Sequence, residues 1–245
     1  MAEPLFFTAV ARTLIVGQTF VLAGEEGKHA ATVKRLRAGE SIQLSDGTGI
    51  RVHGKVTANL GSTLELEIYS ITEDELPSLQ LTLVQALAKG DRDELAVQAA
   101  TELGAISVIP WQATRSISKW EGPKLAKGVT RWQNIVAEAA KQSLRVITPK
   151  VLPAVTSGEL AVQIKDFDVV LLLDPTSPVS LKSKLPLSGK IAVVVGPEGG
   201  IEPSELEILE AAGADRVHLG SGILRTSTAG LAAISAVLAF SSAWD

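Results

Sequence analysis

Hydrophobic and polar positions change rhythm once along this chain, near residue 72. Before that point the apolar positions come in short alternating runs. Leu64, Leu66 and Ile68 alternate with Glu65, Glu67 and Tyr69, the two-residue period of a strand buried on one face. Residues 42–44 and 50–56 read as further short strands, set apart by turns at DGTG (46–49) and NLG (59–61). A basic amphipathic stretch, residues 28–37, interrupts them. The pattern predicts a small N-terminal β-barrel domain over residues 1–73. EDELPS (73–78), acidic and carrying Pro77, predicts a linker.

Beyond it the runs lengthen and strands alternate with helices. Residues 81–88 predict a strand. Asp91 and Glu94 then stand at capping-box spacing before a helix with Leu95, Ala99 and Leu103 on one stripe and Gly104 just past its end. Residues 106–110 predict a strand and 123–143 a long helix anchored by Trp132, Ile135 and Val136. Three more strands follow at 169–173, 191–195 and 216–219. Two of them, VVLLL and IAVVV, are continuously apolar, as strands covered on both faces are. Alternating β and α units imply an α/β domain with a parallel sheet over residues 74–245.

Composition narrows the chemistry. The 245 residues include no cysteine, which excludes disulfides, thiolate metal sites and cysteine nucleophiles. No metal site is expected. The start lacks a basic region and a long apolar core, so no signal peptide is read; residues 229–240 are too few to span a bilayer. A soluble, cytoplasmic protein with no membrane partner is expected. Net charge is −4, yet six basic residues face two acidic ones between 28 and 55, and eight face two between 115 and 150. Such segments form either a phosphate-binding face or solvated surfaces that do not converge.

Two glycine-bearing loops carry the chemistry. Gly196-Pro197-Glu198-Gly199-Gly200 follows a buried strand, and a helix beginning at Pro203 has Glu202, Glu205 and Glu207 in or near its first turn. Acids there disfavour a phosphate, and neither GxxxxGK[ST] nor GxGxxG is present. A neutral or cationic ligand read by backbone groups fits better; a plain tight turn fits the loop alone equally well. The second loop runs from Leu219 and Gly220 through Ile223, Leu224, Arg225 and Thr226, with Ser227 or Thr228 as candidate caps of the last helix. An arginine at a helix start suggests either an anionic partner or a structural ion pair. His53 and His218 read as structural, while His29 sits inside the basic segment.

VVVGPEGGIEPSELE followed by LGSGILRTSTA resembles the signature of the SPOUT methyltransferases, and within them of the RsmE family, the 16S rRNA (uracil-N3)-methyltransferases. Lys89-Gly90, Thr101-Glu102-Leu103-Gly104 with Ile109-Pro110-Trp111, Arg115-Ser116, Arg131-Trp132-Gln133 with EAAKQS (138–143), and His29 with VKRLR (33–37) are similar to further family elements in the same order. The resemblance implies a PUA-like barrel joined to a SPOUT domain with a C-terminal trefoil knot, and a homodimer acting on 16S rRNA or the 30S subunit. It implies S-adenosyl-L-methionine held by Leu173, Gly196, Pro197, Glu198, Gly199, Gly200, Leu219, Gly220, Ile223, Leu224 and Thr226. Arg225 and Thr226 would be catalytic. His29, Lys34, Arg35, Arg37, Arg115 and Arg145 would contact RNA.

The chain departs from the family pattern where Ser227 stands in place of the usual Glu and where Lys141-Gln142-Ser143-Leu144-Arg145 replaces E-Q-S-G-R. Serine is a poor base, so the acceptor of the uracil N3 proton lies elsewhere, or donors such as Arg225 stabilise the anion while water takes the proton. Ribose 2′-O-methylation, a non-catalytic RNA-binding protein of the same fold, and a Rossmann-type nucleotide enzyme are the alternatives; the last is disfavoured by the missing GxGxxG.

Overall fold

Alternation and burial agree residue by residue over 50–56 and 64–68. The computed structural model describes residues 2–244; Met1 and Asp245, the outermost residues of the two expected domains, lie outside the described residues. The chain forms two units, one of residues up to 76 together with 140–148, the other of 77–139 together with 149 onward.

The first unit is a five-stranded sheet in the order β1-β3-β4-β5-β2, with β1 (Leu5–Phe7), β2 (Thr19–Leu22), β3 (Ser41–Ser45), β4 (Ile50–Asn59) and β5 (Leu64–Glu73). Only β1 and β3 run parallel. Leu64, Leu66 and Ile68 are buried as their alternation requires, and pack with Leu22, Ile42, Leu44 and Val52. The basic segment leaves α1 (Gly24–Lys28) as a wide helical turn over His29–Val33. Residues 140–148 come from far along the sequence to complete this unit. The carbonyl of Val146 accepts from Gly49 N at 3.0 Å and from the Ser45 hydroxyl at 3.2 Å. Thr148 N donates to Gly47 O at 2.9 Å, and Lys141 pairs with Glu26 at 2.8 Å.

The second unit is a six-stranded, wholly parallel sheet in the order β11-β9-β10-β6-β7-β8. Its strands are β6 (Gln80–Ala86), β7 (Ser107–Trp111), β8 (Lys150–Val151), β9 (Val169–Leu173), β10 (Lys190–Val195) and β11 (Asp215–Val217). Helices α2 (Arg92–Glu102), α3 (Pro123–Gln142), α4 (Ser157–Gln163), α5 (Pro203–Ala211) and α6 (Thr226–Ala239) connect or follow them. The continuous apolar runs are explained by two covered faces. Ile191, Val193 and Val195 face a core shared with α2 and α6, while Ala192 and Val194 face one shared with α4 and α5.

Two local expectations about α2 are corrected. Asp91 sits at the N-cap but its side chain caps nothing. Asp93 turns inward instead and accepts from Ala88 N (3.0 Å) and Glu94 N (2.9 Å), while burial pushes its carboxyl up. The buried stripe is Ala96, Val97, Ala100 and Thr101, with Leu95 exposed. Small side chains on that face let α2 lie against α6, whose inward residues include Gly230 and Ala233. A Cβ on Gly230 would come within 2.9 Å of Leu83 and 3.0 Å of Val195.

Candidate functional site

Three loops leave the carboxyl ends of β9, β10 and β11 and enclose one cavity of about 360 Å³. That volume falls within the range of small-molecule sites, roughly 300–1,000 Å³, and its place at the strand ends is where parallel sheets bind ligands. Leu173, Asp174 and Pro175 come from the first loop; Gly196, Pro197, Glu198, Gly200 and Ile201 from the second. His218, Leu219, Gly222, Ile223, Leu224 and Arg225 come from the third, with Arg92 of α2 and Thr226 and Ala229 of α6 closing the wall.

Most residues marked from sequence meet here, but Gly199 and Gly220 do not line the cavity. Gly199 turns towards Arg115: its carbonyl accepts from Arg115 Nη1 at 3.2 Å, and a Cβ on it would stand 3.2 Å from that of Arg115. Gly220, at φ +133°, donates its N–H to His218 Nδ1 at 3.0 Å and so makes the turn. Asp174 and Arg92 escaped the sequence reading, and His218, read there as structural, lines the cavity. Asp174 alone had a signal, a polar residue directly after a buried run.

The acids around the cavity are held, not loose. Both Asp174 oxygens accept from the Thr176 hydroxyl (2.9 and 3.1 Å), Oδ1 also accepts from Thr176 N at 3.0 Å, and Oδ2 from Arg216 Nε at 2.5 Å. Burial pushes this carboxyl up, but the bonds from Thr176 and Arg216 outweigh it and hold it below the usual range. Glu198 Oε1 accepts from Lys89 N at 3.1 Å and Arg92 Nη1 at 3.2 Å. Glu205, expected to repel phosphate at the start of α5, instead faces inward. It accepts from Thr114 N (2.8 Å), Glu202 N (3.1 Å) and the Ser157 hydroxyl. Burial raises it; those bonds lower it further.

Thr226 is taken up inside the fold. Its hydroxyl donates to Gly196 O at 2.8 Å and accepts from Gln85 Nε2 at 2.8 Å, so the residue marked as catalytic ties loops together. Neither Ser227 nor Thr228 caps α6. Arg225 holds the N-cap position, and its carbonyl accepts from Thr228 N at 2.9 Å and the Thr228 hydroxyl at 3.2 Å. The Arg225 guanidinium is exposed on the cavity wall, with no acceptor in hydrogen-bond reach among the described residues.

The marked RNA residues divide. Lys34, Arg35 and Arg37 are exposed, Arg35 in the left-handed region at φ +54°. His29, edge-on to Phe6 at 5.9 Å, lines with Lys34 a broad depression of about 650 Å³. Arg115 and Arg145 have other commitments: Arg115 is exposed but paired, and Arg145 is partly covered. Arg115 pairs with Glu202 and braces the Gly199 carbonyl. Arg145 is half-buried, and burial pushes its guanidinium pKa down. His53 bonds Glu3 at 2.7 Å, a structural pairing. Among the described residues no helix is long and apolar enough to cross a membrane, and no three His, Cys, Asp or Glu side chains converge as a metal site would require.

Residues 74–238 match the RNA methyltransferase domain and residues 22–66 the RNA methyltransferase PUA domain. The ribosomal RNA small subunit methyltransferase E of Mycobacterium tuberculosis is 38% identical over 238 residues, covering 94% of this chain and 89% of that protein. Its Bacillus subtilis counterpart is 33% identical, covering 89% of each. The crystal structure of the Neisseria gonorrhoeae enzyme of the same name, bound to S-adenosyl methionine, superposes with a TM-score of 0.85 at 34% identity, covering 97% of this chain and 98% of that one. A Legionella pneumophila methyltransferase with bound SAM superposes at 0.86 with 26% identity, covering 98% of each.

Proposed function

The chain belongs to the ribosomal RNA small subunit methyltransferase E family, and from that premise we propose that it transfers the methyl group of S-adenosylmethionine to N3 of one uridine in 16S rRNA. One observation carries the reading: a cavity at the ends of three parallel strands that pairs apolar walls and held acids with one uncommitted arginine. The cofactor is a cation bearing an adenine. Leu173, Leu219, Ile223 and Leu224 suit the ring, Asp174 suits the positive charge, and the turn at Gly200 brings backbone close.

When bound, the cofactor supplies an electrophilic methyl group. The protein supplies the rest. Arg225 faces the cavity free to bind the carbonyl oxygens of uracil as negative charge gathers on them. Thr226 and Gln85 hold Gly196 in place. The N-terminal unit, with Lys34, Arg35 and Arg37 exposed, would grip the RNA backbone, and the target base would be turned out into the cavity. The reading extends to 16S rRNA within the 30S subunit, to a cytoplasmic enzyme, and to a homodimer. Phe240 and Trp244, exposed beyond α6, support a partner surface there. A trefoil knot belongs with it: α6 returns against β6 and β10 in the sheet interior after β11 has been placed at the edge.

Incubating the protein with S-adenosylmethionine and 16S rRNA or 30S subunits lacking the modification should yield N3-methyluridine on nucleoside mass spectrometry. A 2′-O-methylated product, or none, would refute the reading.

A further inference from the structure

Uracil N3 carries a proton that must leave for the nitrogen to accept a methyl group, and Ser227 is a poor base. Ser227 is half-buried and is not among the residues lining the cavity. The ionisable side chains that do line it are Arg92, Asp174, Glu198, His218 and Arg225. The arginines are protonated and cannot accept. Both Asp174 oxygens are held by Thr176 and Arg216. In His218, Gly220 N–H occupies the Nδ1 lone pair, so the neutral ring carries its proton on Nε2 and has no basic nitrogen left to offer.

Glu198 differs from all of them. Its Oε1 is clamped by Lys89 N–H and Arg92, which fixes the plane of the carboxylate, while Oε2 has no donor in reach among the described residues. The side chain is covered but open to the cavity, with 19% of its surface exposed. Resting on the methyltransferase reading, we propose that Glu198 Oε2 takes the proton from uracil N3 during methyl transfer. As N3 bonds to the methyl carbon, that carbon leaves sulfur with the bonding pair staying on sulfur. The N3 proton passes to Oε2, and neutral Glu198 later returns it to water. Arg225 opposes the charge on the uracil oxygens, so the proton moves away from the side on which negative charge is held.

The test compares the full-length protein with Glu198→Gln and Glu198→Asp, on 30S subunits lacking the modification. It reads three quantities: nucleoside identity by mass spectrometry, single-turnover rate against pH, and the S-adenosylmethionine dissociation constant by calorimetry. The wild type should make N3-methyluridine at a rate flat through neutral pH. Glu198→Gln should bind the cofactor unchanged but turn over about 10²-fold or more slowly, its rate rising about tenfold per pH unit as hydroxide replaces the lost base. Glu198→Asp should regain part of the rate and the flat profile. A Gln variant as fast as wild type, or one losing cofactor affinity in step with rate, would overturn the assignment while N3-methyluridine from the wild type leaves the family reading standing. No N3-methyluridine from the wild type would bring both down.

Discussion

Thr226 donates its hydroxyl to the carbonyl of Gly196 at 2.8 Å, across 30 residues of sequence. The same oxygen accepts from Gln85, which is fully buried at the end of β6. One side chain thus joins a strand end, the loop after β10 and the first turn of α6. Thr226→Val keeps the shape but removes both bonds. It should destabilise the protein by about 1–3 kcal/mol, because a buried carbonyl and amide lose a partner. Cofactor affinity should fall with stability, and Thr226→Ser should restore both. Urea denaturation and calorimetry on the three proteins check this.

Arg225 has the opposite character, a guanidinium without a partner among the described residues. Arg225→Ala should leave stability and cofactor affinity nearly unchanged while lowering turnover by about 10²–10³-fold, the usual effect of removing a preorganised donor to developing charge. Equal losses of affinity and turnover would show that Arg225 holds the cofactor instead.

Glu205 makes stability depend on pH with a definite sign. Its folded pKa lies below the ordinary value of 4.5. Its contribution is therefore complete above that value and is lost as pH falls through the folded pKa. Asp174, held below its ordinary 3.8, acts in the same direction. Melting temperature should hold steady at neutral pH and decline on acidification below those values. Glu205→Gln should melt lower at neutral pH and show a shallower acid decline, measurable by circular dichroism.

Arg35 and Arg37 are exposed in the first unit. Replacing both with Ala should weaken RNA binding and flatten its salt dependence, each lost phosphate contact removing roughly 0.7–0.9 from the slope of log K against log salt. Filter binding at several salt concentrations reads this, and an unchanged slope would exclude this face as the RNA contact.

Gly230 lets α6 lie close to the sheet. Gly230→Val would drive side-chain carbons into Leu83 and Val195 and should cost about 1–3 kcal/mol by overpacking. Ala should cost less, because one methyl needs only small shifts of two flexible side chains. Denaturant midpoints distinguish the two.

The strands were legible because their apolar runs answer to burial on one face or two, a property each run carries in itself. The cavity loops were legible through Gly196, Gly200 and Arg225, residue types that make sense only near a ligand or a turn. What escaped depends on pairing between distant positions. Nothing near Gln85 marks it as the partner of Thr226, 141 residues on, nor does anything near Asp174 point to Arg216. The face of α2 was misjudged for a related reason. Leu95 and Ala96 fit an inward stripe equally well by hydrophobicity, and the neighbouring helix α6 selects the smaller one. The pairing of Arg115, an exposed cation, was hidden because its partners, Glu202 and Gly199, lie more than 80 positions away.

Residues 140–148 complete a unit whose other residues all precede position 77. A ribosome making this chain releases strands β1 to β5 well before the segment that bonds to Ser45, Gly47 and Gly49 exists. At ordinary elongation speeds of about 5–20 residues per second, the wait for those partners lasts roughly 4–14 s. The N-terminal unit is therefore first in the chain, yet it stays unfinished long after its own strands have been made. Its maturation is tied to the synthesis of α3, and a nascent chain stalled before Thr148 holds an incomplete N-terminal unit.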